Sequence, residues 1–304
     1  MARFEEDPPR SRLHLSKGIH VVVPRERFPV NHLVICNAED KRSIFVIPRG
    51  DVVYIGTTDT SYHGDRPLWP EIGADDVRYL LSPMARYFDI APLAEADVVA
   101  AWAGVRPLIA QEGKDPKEMS RRTRSPPALG DDLDRRREAH RLPTDGRGRR
   151  RRGRPTAGAA AACRPRARAR PRGALTDVGP DEPPRGLTAR LRRLYGSEAT
   201  EVLALDATPL VAGAPVVAGE VDWAIEVEAA TTLVDVVYRR TRVAWFVPGH
   251  RRELAAAMAS RMATRLDWDA ARTADELAAV DRLFAEELSF RAADPDRTTD
   301  GGRP

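Results

Sequence analysis

The most informative absence in this sequence is that of large apolar side chains between residues 121 and 172. This segment contains no Lys, Ile, Val, Met, Phe, Trp or Tyr, whereas eighteen of its fifty-two residues are arginine. A folded domain must bury large apolar side chains to offset the conformational entropy that is lost on ordering. We therefore predict that this segment forms no hydrophobic core of its own.

Cysteine and long apolar runs are also scarce. Cys36 and Cys163 are the only cysteines, which excludes a disulfide framework and indicates a reducing compartment. No run of 18 apolar residues is present, and the first seven residues lack the apolar core of a signal peptide. These absences predict a cytoplasmic protein and leave peripheral contact with a membrane open.

Positive charge is concentrated in one segment. The whole chain has a net charge of +4, but residues 121–172 carry eighteen arginines against five acidic residues, or +13. The rest of the chain therefore carries −9, and the isoelectric point near 9.3 reflects that segment alone. The arginines could bind nucleic-acid phosphates, but the segment has no aromatic side chains for base stacking. A polyanion- or nucleic-acid-binding protein without sequence specificity is thus the alternative function.

Residues 18–60 have the pattern of an antiparallel β-sheet. Short runs rich in Val and Ile are separated by residues that are typical of turns, and Gly50-Asp51 favours a tight hairpin. A further strand is predicted at Asp97–Trp102. The predicted strands before it are Ile19–Val23, His32–Cys36, Ser43–Ile47 and Val52–Gly56.

Helical periodicity appears on both sides of the arginine-rich segment. Before it, Ala74–Phe88 predicts one helix with a kink at Pro83, because its apolar residues fall on one face. After it, a series of helices predicts a small all-α domain. These helices are Leu187–Tyr195, Glu220–Tyr238, Arg251–Leu266 and Thr273–Leu288.

Two residues stand out as candidates for a site. Arg106 leaves a predicted strand within Trp102-Ala-Gly-Val-Arg-Pro-Leu108, where a guanidinium could bind a carboxylate or phosphate, or could simply lie on the surface. His20 lies in an apolar run and is either a packed core histidine or a catalytic one. The sequence has no Gly-x-Gly-x-x-Gly, no Walker loop and no Cys/His cluster, so we predict no metal site.

A set of short sequences, taken together, is far more specific than either residue. In order along the chain they are Ser16-Lys-Gly-Ile-His-Val-Val-Val-Pro-Arg25, Asp40-Lys-Arg-Ser-Ile-Phe-Val-Ile-Pro48, Ile55-Gly-Thr-Thr-Asp59, Gly104-Val-Arg-Pro-Leu108 and Arg239-Arg-Thr-Arg242. The set resembles the aerobic, FAD-dependent glycerol-3-phosphate dehydrogenases. The resemblance covers Phe4–Arg122 and Gly173–Arg291.

This resemblance implies a reaction and roles for several residues. It implies oxidation of sn-glycerol 3-phosphate to dihydroxyacetone phosphate, with hydride transfer from carbon 2 to FAD and onward transfer of electrons to quinone at the membrane. It implies that Arg106 binds the substrate phosphate, that Arg121 is a second anion-binding arginine, and that His20 lies over the flavin near the hydroxyl that loses its proton. By the same resemblance, Arg239, Arg240 and Arg242 could contact phosphate or lipid headgroups.

The predicted fold class is α+β, and the chain departs from the family in its organisation. We expect an antiparallel β-sheet from the substrate (cap) side of an FAD-dependent oxidoreductase, followed by a small all-α C-terminal domain. The nucleotide-binding half, with its Gly-rich turn for the FAD pyrophosphate, is expected to be missing. The predicted divisions are residues 1–122 for the oxidoreductase part, 123–185 for a disordered arginine-rich segment, 186–291 for the helical domain and 292–304 for a disordered tail.

The arginine-rich segment stands where the family has Gly-Gly-Lys-Leu-Thr near the flavin, followed by a Tyr-Arg helix. Back-translated and read one base out of frame, Arg136–Arg152 permits Gly-Gly-Lys-Leu-Thr-Gly-Tyr-Arg. We infer that residues from about 123 to 172 are out-of-frame translation of a gene rich in G and C. The alternative is an evolved arginine-rich linker. Without either Gly-rich element, the chain is expected to bind FAD poorly and to be an inactive fragment.

Overall fold

The computed structural model describes residues 13–109 and 187–292. The chain divides into two compact units. Of the described residues, the first unit comprises 13–17, 59–68 and 105–109, and the second comprises 18–58, 69–104 and 187–292. Arg121, the arginine-rich segment and the predicted tail from 293 onward lie outside the described residues.

The sheet is built on one long strand, β1 (Leu13–Pro24), which pairs with three others. The strand order is β2-β3-β4-β1-β5, and β6 also pairs with β1. In the second unit, β1 runs antiparallel to β4, and in the first unit its residues Ser16 and Lys17 face β5. The remaining strands are β2 (Val34–Asn37), β3 (Ser43–Arg49), β4 (Val52–Gly56), β5 (Thr60–Ser61) and β6 (Ala100–Ile109).

The predicted hairpin at Gly50-Asp51 is confirmed. Arg49 pairs with Val52, so the loop has two residues, and Gly50 adopts a φ of +62° that a side chain would disfavour. The predicted strand Val52–Gly56 matches β4, whereas β6 begins three residues later than predicted and is longer. Before β6, Glu95–Asp97 forms a short 3-10 helix.

Within the second unit, the central strands β1 and β4 are buried on both faces, whereas β2 and β3 expose Ile35 and Phe45. Along β4, Val53 and Ile55 join a core that also contains Val77 and Leu80. The alternate residue Val52 packs on the other face with Val22 and Ala100, where partly buried aromatic side chains cover it. Because β-strand side chains point to opposite faces in turn, this arrangement explains why β1 and β4 are apolar at consecutive positions.

The helix predicted at Ala74–Phe88 is broken rather than kinked. It forms α1 (Ala74–Leu81) and α2 (Met84–Tyr87), with Pro83 directly before α2. Proline is well tolerated at the start of a helix, but Pro83 has no N–H to donate to the carbonyl oxygen four residues earlier, although Ser82 before it keeps helical dihedral angles. The break therefore follows from the residue that suggested the kink.

The C-terminal residues are helical, as predicted, but one boundary was wrong. The predicted helix Glu220–Tyr238 ends early, because Ala229 turns into the left-handed region with a φ of +54°. The elements there are α3 (Leu187–Tyr195), α4 (Ala199–Leu205), α5 (Gly219–Glu226), a π-helix (Asp235–Arg240), α6 (Val243–Phe246), α7 (Arg251–Leu266) and α8 (Ala270–Glu287). Among the described residues, no helix is long and apolar enough to cross a membrane.

Candidate active site

Arg106 lies in β6, in the first unit, and pairs with a carboxylate of the same unit. Its Nη1 is 3.5 Å from Asp59 Oδ1, and about a third of each side chain is exposed. The Ser16 hydroxyl donates a hydrogen bond to the same Asp59 oxygen. A guanidinium has five N–H donors in a planar fork, so an ion pair through Nη1 does not exhaust its capacity to bind an anion.

Asp59 is a residue that sequence reasoning undervalued. It ends the Ile55-Gly-Thr-Thr-Asp59 sequence, which contributes to the family resemblance but by itself gives Asp59 no role. The pair joins residues 47 positions apart: Asp59 lies between β4 and β5, and Arg106 lies in β6. The position of Arg106 opposite Asp59 is decided by the pairing of β5 and β6 with β1.

His20 lies in the second unit, where aromatic rings hold it. Its imidazole stacks on the Trp102 indole with centroids 4.8 Å apart and planes 11° from parallel. The Tyr54 ring lies 6.1 Å from it, and the Trp245 and Phe246 rings contact Trp102 at 5.1 and 5.9 Å. We call these five side chains the aromatic cluster. Aromatic and imidazole rings in such contact fix each other's orientation.

Gly56 makes room for the His20 ring. The two residues are cross-strand partners in β1 and β4, and a Cβ atom added to Gly56 would lie only 2.1 Å from His20 Cδ2. Any larger residue at this position would displace the imidazole. Behind this contact, the buried Thr58 hydroxyl accepts a hydrogen bond from the Ile19 amide at 3.1 Å, and the Gly56–Thr57 peptide bond is cis.

Two of the other predicted arginines, Arg239 and Arg240, contact groups of the protein. Arg239 pairs with Asp235 at 2.7 Å, and Arg240 donates hydrogen bonds to the Glu228 carbonyl oxygen. The Arg242 side chain is exposed, and its backbone adopts the left-handed conformation with a φ of +58°. Arg121 lies outside the described residues.

The described residues do not supply the cradle that FAD needs. In ranges 13–109 and 187–292, no helix begins at a Gly-rich turn directly after a strand. That turn is the element that binds a dinucleotide pyrophosphate through backbone N–H groups. The same ranges hold no group of three or more His, Cys, Asp or Glu side chains that is suited to a metal ion.

Comparisons with known proteins identify both described regions. Residues 1–123 match the family model of FAD dependent oxidoreductases, and residues 180–273 match the model described as the C-terminal domain of alpha-glycerophosphate oxidase. These matches confirm the family that the short sequences predicted.

Individual relatives agree with the family models. Over 112 residues, or 36% of this chain, the sequence is 42% identical to the aerobic glycerol-3-phosphate dehydrogenases of Staphylococcus saprophyticus and Staphylococcus haemolyticus. The solved structure of the glycerol-3-phosphate dehydrogenase from Bacillus halodurans, complexed with FAD, has a TM-score of 0.66 and 25% identity and covers 91% of this chain. The match spans 20% of each staphylococcal protein and 58% of the Bacillus chain, so this chain corresponds to only part of its relatives.

Proposed function

We propose that this chain, whose residues 1–123 match the family model of FAD dependent oxidoreductases, carries the substrate-binding part of an aerobic glycerol-3-phosphate dehydrogenase. The proposed reaction is the oxidation of sn-glycerol 3-phosphate to dihydroxyacetone phosphate. FAD is the cofactor of the family and supplies the redox chemistry when it is bound. None of the matches supports the nucleic-acid-binding alternative.

The observation that carries this proposal is the Arg106–Asp59 pair. The phosphate of glycerol 3-phosphate would accept hydrogen bonds from the N–H groups of Arg106, because a guanidinium can donate two parallel hydrogen bonds to a phosphate. Asp59 would then act as a positioning residue, because its carboxylate restricts the guanidinium to one side. The Ser16 hydroxyl restricts Asp59 in turn.

We assign a separate role to His20. Loss of a hydride from carbon 2 leaves a carbonyl only if the hydroxyl on the same carbon also loses its proton. An imidazole is suited to accept that proton near neutral pH. Stacking on Trp102 fixes the orientation that such a transfer requires.

Two further features are carried over from the resemblance as part of the proposal. Quinone is proposed as the final electron acceptor, and contact with a membrane surface is proposed as peripheral. Reduction of a short-chain quinone analogue on addition of glycerol 3-phosphate, measured with the chimeric enzyme described below, would support quinone as the acceptor.

The test places this segment in a complete enzyme. Residues 1–123 would replace the corresponding segment of the Staphylococcus saprophyticus dehydrogenase, and the chimera would be assayed for dye reduction dependent on glycerol 3-phosphate. We expect activity, and we expect Arg106→Gln to raise the KM roughly 10- to 100-fold, because it removes charge-assisted hydrogen bonds to phosphate. We expect His20→Gln to lower kcat by about 10²- to 10⁴-fold with a smaller effect on KM.

Arg78→Gln is the matched control, since Arg78 is an exposed arginine of the same segment that pairs with Asp75 and Glu95. It should leave both constants nearly unchanged. A chimera with the flavin spectrum of the parent enzyme but no activity would contradict the proposed function. An unchanged KM in Arg106→Gln would contradict the role of that arginine.

A further inference from the structure

A small cavity in the second unit is lined by arginines to which the proposed function gives no role. It has a volume of about 220 Å³ and lies where the β3–β4 turn meets the C-terminal helices. Its walls include Arg49 and Asp51 from the turn, Arg190 and Arg193 from α3, and Phe246 from α6. Among the described residues, neither His20 nor Arg106 lines it.

One of these arginines is already neutralised. Arg190 Nη1 lies 2.6 Å from both carboxylate oxygens of Glu220, and the guanidinium also donates to the Pro215 and Thr241 carbonyl oxygens. Its hydrogen bonds are directed at groups of the protein. Arg190 therefore lines the cavity but adds little net charge to it.

The other arginines are not compensated in this way. Among the residues that the structure describes, neither Arg49 nor Arg193 forms an ion pair, and Asp51 is the one carboxylate on the cavity wall. The Arg49 guanidinium lies over the Phe246 ring, 4.0 Å from its centroid, and both side chains line the cavity. The cavity therefore has a net positive charge and is partly shielded from water.

Burial and the crowding of like charges both act on Arg49. Burial, followed by the nearby charges of Arg242, Arg193 and Arg190, lowers the pKa of Arg49 to about 10. Like charges this close destabilise one another, and an anion placed between them would relieve the repulsion. Arg242 joins the group from the residue before α6, where it adopts the left-handed conformation.

We propose that this cavity binds a phosphate group, either as inorganic phosphate or as the phosphate of a small ester or lipid headgroup. Arginine forks match the geometry of phosphate oxygens, and at about 220 Å³ the cavity is smaller than the roughly 300–1,000 Å³ typical of pockets for larger ligands. Binding here would join the β3–β4 turn to α3 and to the start of α6. The inference goes beyond the proposed function, because it concerns residues outside the proposed active site.

The first experiment measures phosphate binding to the full chain by isothermal titration calorimetry at low salt. Arg193→Gln removes an exposed cavity arginine, and Arg192→Gln removes an exposed arginine of the same helix that does not line the cavity. We expect Arg193→Gln to weaken the affinity for inorganic phosphate about tenfold and Arg192→Gln to change it less than about twofold.

The arginines of 121–172 also attract phosphate, but they are identical in both variants and therefore cancel in the comparison. Both variants alter exposed side chains, and thermal unfolding would verify that their folds are intact. Equal affinities in the two variants, or a wild-type chain that gives no saturable binding, would overturn the proposal.

A second experiment identifies the source of the phosphate. The same two variants would be sedimented with phosphatidylglycerol vesicles and with phosphatidylcholine vesicles as the neutral reference. Vesicle binding that is weakened only by Arg193→Gln, and that inorganic phosphate competes away, would indicate a lipid headgroup. Phosphate binding sensitive to Arg193→Gln, with vesicle binding equal in the two variants, would indicate a free phosphate or soluble phosphate ester.

Discussion

At the level of single residues, the orientation of His20 depends on the absence of one side chain opposite it. The imidazole stacks on Trp102 and occupies the space that a Cβ atom of Gly56 would need. A glycine in a strand interior often marks a place where another group approaches closely. Here that group is the proposed proton acceptor.

We expect Gly56→Ala to destabilise the protein by about 1–3 kcal/mol, because the new methyl group must displace the His20 ring from Trp102. Chemical denaturation monitored by circular dichroism would measure the change. Gly104→Ala is the control, since a Cβ atom at Gly104 has no neighbour within 4 Å. Equal effects of the two substitutions would show that the His20 contact is not the cause.

At the level of elements, a buried ion pair connects α3 to α5. Glu220 is fully buried, and besides Arg190 its carboxylate accepts hydrogen bonds from the Tyr195 hydroxyl and the Val217 amide. Burial and the Glu220 carboxylate raise the pKa of Tyr195, so this phenol remains a donor. Every oxygen of the pair is satisfied, which offsets the cost of removing both charges from water.

We expect Glu220→Gln to lower the free energy of unfolding by about 3 kcal/mol or more, because it leaves the Arg190 charge without its partner. Arg239→Gln breaks a surface pair with Asp235, in which Arg239 is half exposed, and should cost less than about 1 kcal/mol. Urea denaturation of both variants tests the difference. A similarly small loss of unfolding free energy in both variants would show that burial of the Arg190–Glu220 pair does not make it more important for stability.

A second buried carboxylate lies at the end of α8. Glu287 is 4% exposed, accepts a hydrogen bond from Trp245 Nε1 at 2.9 Å, and lies 4.0 Å from Arg251. Burial raises its pKa to about 8, although Trp245 and Arg251 act in the opposite direction. Because the folded state keeps a proton that the unfolded state loses near pH 4.5, this residue makes stability fall as the pH rises from about 4.5 to 8.

Glu287→Gln should remove that part of the pH dependence, since an amide keeps the acceptor for Trp245 and does not ionise. Relative to wild type, the variant should gain stability between pH 5 and pH 8, by at most about 5 kcal/mol. Thermal unfolding at several pH values measures the gain. Glu286→Gln, at the exposed neighbouring residue, is the control. If the stability of Glu287→Gln fell with rising pH as steeply as that of the wild type, Glu287 would not be the cause of this pH dependence.

At the level of the whole molecule, the described residues form two regions along the chain, 13–109 and 187–292. The first region matches FAD dependent oxidoreductases, and the second matches the C-terminal domain of alpha-glycerophosphate oxidase. The aromatic cluster contains residues of both regions and lies within one unit: His20, Tyr54 and Trp102 come from the sheet and Trp245 and Phe246 from α6. The helical region thus helps to cover the sheet that carries His20.

We expect the purified chain to bind FAD poorly, because the described residues lack a pyrophosphate cradle and the sequence lacks Gly-Gly-Lys-Leu-Thr. The visible spectrum after incubation with FAD and gel filtration is the measurement. The complete staphylococcal enzyme, treated in parallel, provides the positive control. A stoichiometric flavin band in this chain would contradict the expectation.

The origin of the arginine-rich segment is a prediction about the gene. Genomic DNA across the codons of residues 123–172 should encode Gly-Gly-Lys-Leu-Thr when it is read one base out of phase, and one insertion or deletion should lie at each end. Sequencing the locus tests this. If the reading frame has no insertion or deletion here and the shifted frame does not encode Gly-Gly-Lys-Leu-Thr, the segment is better explained as an evolved linker.

Much of the fold could be predicted from sequence because its signals are local. The tight turn at Gly50-Asp51, the strand Val52–Gly56 and the helices Leu187–Tyr195 and Arg251–Leu266 have the predicted positions. Each depends on turn chemistry or apolar periodicity within a few residues of itself. The helix Glu220–Tyr238 failed because its periodicity continues through a left-handed residue that packing, and not propensity, imposes.

The sequence by itself selected Arg106 and His20 as candidate residues, and the tertiary structure decided how each of them is held. Arg106 and His20 could be selected from short sequences, but their partners Asp59 and Trp102 could not. The Arg106–Asp59 pair depends on strand pairing between distant residues, and the stacking of His20 on Trp102 depends on the order of strands in the sheet. Burial of a charge and contact across a sheet are properties of the packed chain, so no local pattern of residues encodes them.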